Sequence, residues 1–146
     1  MKLSDNWFTA LSENERGDII TVYGREDLDA FRTSGKFKER VEITWKYEPD
    51  AHGMPSDEVA ARMEEMEEAL RREMEKDKLA IQTAVYTGGG EKTWVYYTRS
   101  ARVFGEYLNQ ALAHLEMLPI SLYVEADAGW EEYLDMYEMR EWAVDK

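Results

Sequence analysis

Tyr86–Thr98 reads YTGGGEKTWVYYT, and the meaning of its glycine triplet decides the fold. A nucleotide-binding glycine loop runs from a strand into a helix, whose first amides hold the phosphate. Here EKTWVYYT follows Gly90, a β-rich run with no Gly-Lys-Ser/Thr. The triplet therefore reads as the turn of a β-hairpin, supplying positive φ angles between two strands. With Tyr86 set opposite Glu91 across a four-residue loop, Leu79, Ile81, Thr83 and Val85 share a face with Trp94 and Tyr96. Ala80, Gln82, Ala84, Tyr86, Thr93, Val95 and Tyr97 then share the other.

Upstream, KERVEITWKYEP alternates strictly, with Val41, Ile43, Trp45 and Tyr47 on one side and Glu42, Thr44, Lys46 and Glu48 on the wetter side of a strand. Ser56 is placed to cap a helix reaching about Lys76, where Val59, Met63, Met66, Leu70 and Met74 form one apolar stripe. Glu58/Arg62, Glu67/Arg71 and Glu68/Arg72 stand at i,i+4 spacing on its outer face. Ser100 caps a second helix bearing Phe104, Leu108, Ala111 and Leu115, and ISLYVEA after Pro119 is a last strand. Asp127 is a candidate cap for a C-terminal helix with Trp130, Tyr133, Leu134 and Tyr137 as its face.

This order predicts an α+β fold, a ferredoxin-like plait (βαββαβ) whose antiparallel sheet carries both helices on one face. A single domain, 1–146, is expected: a plait core over about 38–126, an N-terminal strand (DIITVYGR) and helical turn (EDLDAF) within 1–37, and a C-terminal helix in 127–146. A chain of this length buries roughly two-thirds of its unfolded surface. Two helices cover only one side of such a sheet, and Thr44, Gln82, Ala84, Tyr86, Val95, Tyr97 and Tyr123 would leave the other too apolar for water. The chain's own ends are the first cover to expect, ahead of a second copy or a partner.

The formal charge is −13, from 31 acidic and 18 basic residues, which repels phosphate backbones and makes nucleic acid a disfavoured partner. GEKTWVYYTR also lacks the basic-Gly-aromatic octapeptide with which RNA-binding plaits stack bases. There is no cysteine, so disulfides, thiolate catalysis and Cys-type zinc sites are excluded. No apolar run suits a signal peptide or a membrane span, and a cytoplasmic chain is expected. His52 and His114 have structural explanations, no Gly-x-Ser-x-Gly occurs, and among the carboxylates only Glu125 and Asp127 beside Trp130 stand out. No catalytic residue, metal ligand or cofactor is assigned.

Three segments, RVEITWKYEPDAHGMPSDEVAARMEEMEEAL, AVYTGGGEKTWVYYT and LPISLYVEADAGWEEY, resemble the bacterial family called domain of unknown function 695. The shared features are Trp45 and Tyr47, Gly53 and Pro55, Thr87 to Gly90, Trp94 to Tyr97, and Trp130 with Tyr133. One departure is EADAGW, where paired acids and a proline are expected and Ala128 stands instead. The resemblance implies no catalytic residues. Through its likeness to proteins such as the regulator of ribonuclease activity B, small acidic proteins that act by binding an enzyme, it implies binding by analogy.

The expected function is a non-enzymatic binding or regulatory module for a basic macromolecular partner, with a protein partner or a homodimer as its counterpart. The candidate interaction surface is Tyr86, Val95, Tyr97, Tyr123, Trp130 and Tyr133. The alternative is a small-ligand-binding protein or enzyme with a pocket lined by Tyr and carboxylates.

Overall fold

In a computed structural model describing residues 2–143, the elements in chain order are β1 (Trp7–Glu13), β2 (Ile19–Arg25), α1 (Asp29–Thr33), β3 (Glu39–Lys46), α2 (Asp57–Lys76), β4 (Ala80–Gly88), β5 (Glu91–Thr98), α3 (Ala101–Leu112), β6 (Ile120–Ala126) and α4 (Glu131–Tyr137). A 3₁₀ turn, Glu138–Trp142, follows α4. The fold is α+β. Six strands form one open sheet in the order β1-β2-β4-β5-β3-β6, with every neighbouring pair antiparallel.

The triplet is a hairpin turn, and a tighter one than the sequence suggested. Gly88 pairs with Glu91, leaving Gly89 (φ 62°) and Gly90 (φ 87°) as a two-residue loop. Positive φ at both positions matches the turn whose twist suits paired strands. Tyr86 consequently faces Thr93 rather than Glu91, but parity is unchanged. Val85 sits with Trp94, and Ala84 lies opposite Val95, on the expected faces. The expectation fails beyond Ala84. A register shift between Gln82 and Ala84 brings Ile81 opposite Tyr97 and Gln82 opposite Tyr96. One extra residue on the bulged strand exchanges the faces, so Ile81 joins the Tyr97 side while Ala80 and Gln82 move to the helix side.

Helices α2 and α3 cover one face, packing Met63, Met66, Leu70, Met74, Phe104 and Leu108 against Val41, Ile43, Trp45, Val85, Trp94 and Tyr96. Ser56 and Ser100 cap them, each accepting a backbone N–H three residues on. Three of the six residues in the i,i+4 pairs expected on α2 make other contacts. Arg71 bonds Asp5 at 2.8 Å and Glu75 at 3.3 Å, Glu67 accepts the Trp94 indole N–H at 2.6 Å, and Arg62 lies over the Trp45 ring. Contacts that tie the helix to the sheet and the N-terminus take the place of the Glu58/Arg62 and Glu67/Arg71 pairs.

The opposite face is covered largely by the chain's two ends. Phe31 and Phe37 from the N-terminal part, with Trp130, Tyr133 and Met136 from the C-terminal part, pack over a sheet face made of Ile81, Ala84, Val95 and Tyr97 and, on the added β1 and β2, Phe8, Ala10 and Val22. The N-terminal segment holds two strands where the sequence suggested one, so the sheet gains a β1–β2 hairpin beside β4. The C-terminal helix is shorter than expected because Trp130 takes a left-handed φ of 55°, which delays the first turn to Glu131. Leu134 is exposed and Met136 takes the inward position. The part of the expected helix at 144–146 lies outside the described residues. Among the described residues no helix is long and apolar enough to cross a membrane.

Candidate binding groove

Of the six candidate surface residues, Val95, Tyr97, Trp130 and Tyr133 are core. Trp130 stacks on Tyr97 with ring centroids 4.2 Å apart and donates its indole N–H to the Phe37 carbonyl. Tyr133 donates its hydroxyl to the Arg25 carbonyl. Val95 and Tyr97 are unavailable to a partner because the C-terminal segment lies over them, and Trp130 and Tyr133 are the side chains that it turns inward to do so. Tyr86 is half-buried and Tyr123 is 54% exposed, and these two flank a groove that the terminal segments leave uncovered.

The groove follows from strand alternation. Arg40, Glu42 and Thr44 of β3 point to this face, beside Tyr86 of β4, Thr93 of β5 and Tyr123 and Glu125 of β6. Tyr86 stands between two open concavities. One of about 240 Å³ reaches the hairpin turn past Glu42 and Thr93. The other, about 380 Å³, is walled by Arg40, Glu125 and Asp127 and by Glu131, Glu132 and Asp135 of α4.

Arg40 holds the centre. Its guanidinium bonds Glu42 at 2.8 Å, Glu125 at 2.6 Å and Asp127 at 2.7 Å. Burial works against its charge, but the Glu42 and Asp127 hydrogen bonds outweigh it and hold its pKa above the usual value. Trp130, and not Asp127 as expected, takes the N-cap position of α4, but the Asp127 carboxylate still serves the first amides of the helix. It accepts the Glu131 and Glu132 backbone N–H groups and the Tyr97 hydroxyl. Burial tends to raise its pKa, but those donors and Arg40 bring it below the ordinary carboxylate value.

Glu132 is in a different position. Its Oε1 accepts the Tyr86 hydroxyl at 2.6 Å, while its buried Oε2 has no hydrogen-bond partner among the described residues. Burial, with the Glu42 charge behind it, raises its pKa despite the Tyr86 bond, and burial beside Glu132 in turn raises that of Tyr86. The larger concavity thus has five carboxylates and one guanidinium in its wall, and that guanidinium is already shared among three acids. Such a site suits a cation.

Among the described residues no group of three or more His, Cys, Asp or Glu could hold a metal ion. His52 lies in the Asp50–Met54 loop and His114 follows α3, both away from the groove walls. Sequence reasoning named Glu125 and Asp127 but missed Arg40, Glu132 and Asp135. The only signal for Arg40 was its place on the wetter side of an alternating strand. Glu132 was one acid among 31.

The motifs noted in the sequence have structural roles. The Tyr47 hydroxyl donates to the Gly53 carbonyl and its amide to Gly90, fastening the Gly53–Pro55 loop beside the hairpin turn. Comparison with curated proteins and with solved structures returned no match. The model of DUF695, a family of unknown function, matches residues 5–137, nearly the whole chain, and the chain belongs to that family.

Proposed function

We propose that this chain is a non-enzymatic cytoplasmic binding or regulatory module whose groove receives a basic surface of a macromolecular partner. The observation that carries the reading is Glu132: a carboxylate kept where burial disfavours its charge, with one oxygen unpartnered and other acids around it. A cation from outside, received by the exposed Glu125, Glu131 and Asp135 of the same wall, would offset that buried charge. The covering of the second sheet face by the chain's ends removes an apolar platform as the contact and leaves the acidic groove. A specific form is an inhibitor or immunity-type protein for a nuclease, with carboxylates standing in for substrate phosphates. The unit from β3 to β6 is read as a ferredoxin-like plait, supported by the order β4-β5-β3-β6, in which its first strand lies between its third and fourth.

A second reading, a small-ligand site, is favoured by one feature: the Tyr86–Glu132 pair beside a concavity of about 380 Å³, within the size range of small-molecule pockets. The two readings separate in one experiment. Binding of the full chain to an arginine-rich peptide is titrated at low and high salt, for the native protein and Glu132→Gln. A steep loss with salt and a loss of about tenfold on substitution are expected. Salt-indifferent binding, or an unaffected variant, overturns the proposal.

A further inference from the structure

The two edges of the sheet are treated differently. At one end, β1 is bridged across its outer edge by Ala143 and packed by the 3₁₀ turn. At the other end, no strand among the described residues lies beyond β6. Alternate residues of such an edge present N–H and C=O groups that nothing in the sheet meets, and proteins blunt edges of this kind with lysine, proline or a bulge. ISLYVEA contains neither residue, its one charged side chain, Glu125, is tied to Arg40, and its register against β3 is unbroken from Ile120 to Ala126.

Both faces of β6 are open as well. Leu122 (45% exposed) and Val124 (46%) lie on the α2/α3 side, opposite Ile43 and Val41. Tyr123 and Glu125 lie on the groove side, where the Tyr123 hydroxyl bonds Glu125 at 3.1 Å and Glu125 meets Arg40. The strand is therefore apolar on one face, aromatic and acidic on the other, and unpaired along its edge.

We infer that β6 is the docking edge of the groove: an extended segment of a partner protein, with basic and apolar residues in alternation, adds to β6 as a seventh strand. The inference rests on the groove reading above and names the form of the partner. Main-chain hydrogen bonds along the free edge supply affinity, and alternation supplies selectivity. The period of two sends one set of the partner's side chains beside Leu122 and Val124. The other set falls beside Tyr123 and Glu125, close to the acids of α4. Arginine fits there best, since a guanidinium stacks on a tyrosine ring and forks onto a carboxylate. A second copy of this chain fits less well, because each copy carries −13 and brings its own acids to the same edge.

The test uses the full chain and three labelled peptides, followed by fluorescence anisotropy at low salt. One alternates arginine and valine, one has the same composition in two blocks, and one is the alternating peptide methylated at its backbone nitrogens. The alternating peptide is expected to bind about tenfold tighter than either control, to shift the amide resonances of Ile120–Ala126, and to lose affinity for Leu122→Arg. Equal affinity for alternating and blocked peptides overturns strand addition while leaving a charge-reading groove. Binding of none of the three overturns the groove reading along with it. A sedimenting dimer that Leu122→Arg dissociates assigns the edge to a second copy and overturns the inference.

Discussion

Glu132 and Asp127 are near neighbours whose surroundings drive their protons in opposite directions. Burial and the Glu42 charge raise Glu132, so the folded chain holds that proton more tightly than the unfolded chain does. Stability from this group is fully present below the ordinary glutamate pKa and is lost as pH rises through the folded value. Glu132→Gln, which stays neutral, should therefore be more stable than the native protein near pH ~7, by on the order of 1 kcal/mol. The difference should close toward pH ~4, below the ordinary glutamate value. Thermal melts at both pH values check it, and a Gln variant less stable at neutrality would contradict it. Together with weaker peptide binding, the result would show a carboxylate kept at the expense of stability. Asp127, brought below its ordinary value, contributes above the unfolded aspartate pKa and loses that contribution as pH falls through the folded one. That Asp127 would serve the start of the helix was legible, because an Asp ahead of an amphipathic turn has a local meaning, although the cap position itself falls to Trp130. The role of Glu132 was not, because it depends on Tyr86, distant in sequence.

The β4–β5 hairpin was readable for the same reason that Asp127 was: period-two alternation and a glycine turn are local signals. The Thr83 bulge was not, because both Ile81 and Gln82 find a buried place and only the completed sheet selects the register. β1 was missed because WFTALSE gains its meaning from pairing with β2. Gly88 shows what the triplet does beyond turning. It has φ 149°, and an added Cβ would come within 2.3 Å of the Ile19 carbonyl oxygen, where β2 begins. Gly88→Ala is expected to cost about 2–4 kcal/mol through that backbone clash and the strained φ. Gly105 lies within α3 with nothing within 4 Å of an added Cβ, and Gly105→Ala should gain about 0.5–1 kcal/mol from helix propensity. Urea unfolding of the pair separates the two roles. Equal effects would mean the β2 contact carries no strain.

At the scale of the whole chain, the sheet is a partition between two cores with different origins. The α2/α3 side is built from consecutive segments, and its stripes could be read one helix at a time. The other side is assembled from the chain's two ends, which meet over strands far from both in sequence. That the face needed a cover was legible in Val95 and Tyr97, and which segments supplied it could be anticipated. How much they left open could not, because the groove is bounded by where α4 and the turn after it lie rather than by any motif. A chain ending at Ala126 would lose Trp130, Tyr133 and Met136 from over Tyr97, Val95 and Ala84, and would take Asp127 from Arg40. At about 1.5–3 kcal/mol for each large side chain returned to water, the loss is on the order of 5–9 kcal/mol. That is comparable with the entire stability of an ordinary domain, about 5–15 kcal/mol. The truncated chain is expected to keep far-ultraviolet circular dichroism while losing its near-ultraviolet signal, and to bind a hydrophobic dye. A cooperative melt close to that of the full chain would mean that the α2/α3 side folds without the second core, and that the C-terminal segment is an addition to the domain rather than half of its interior.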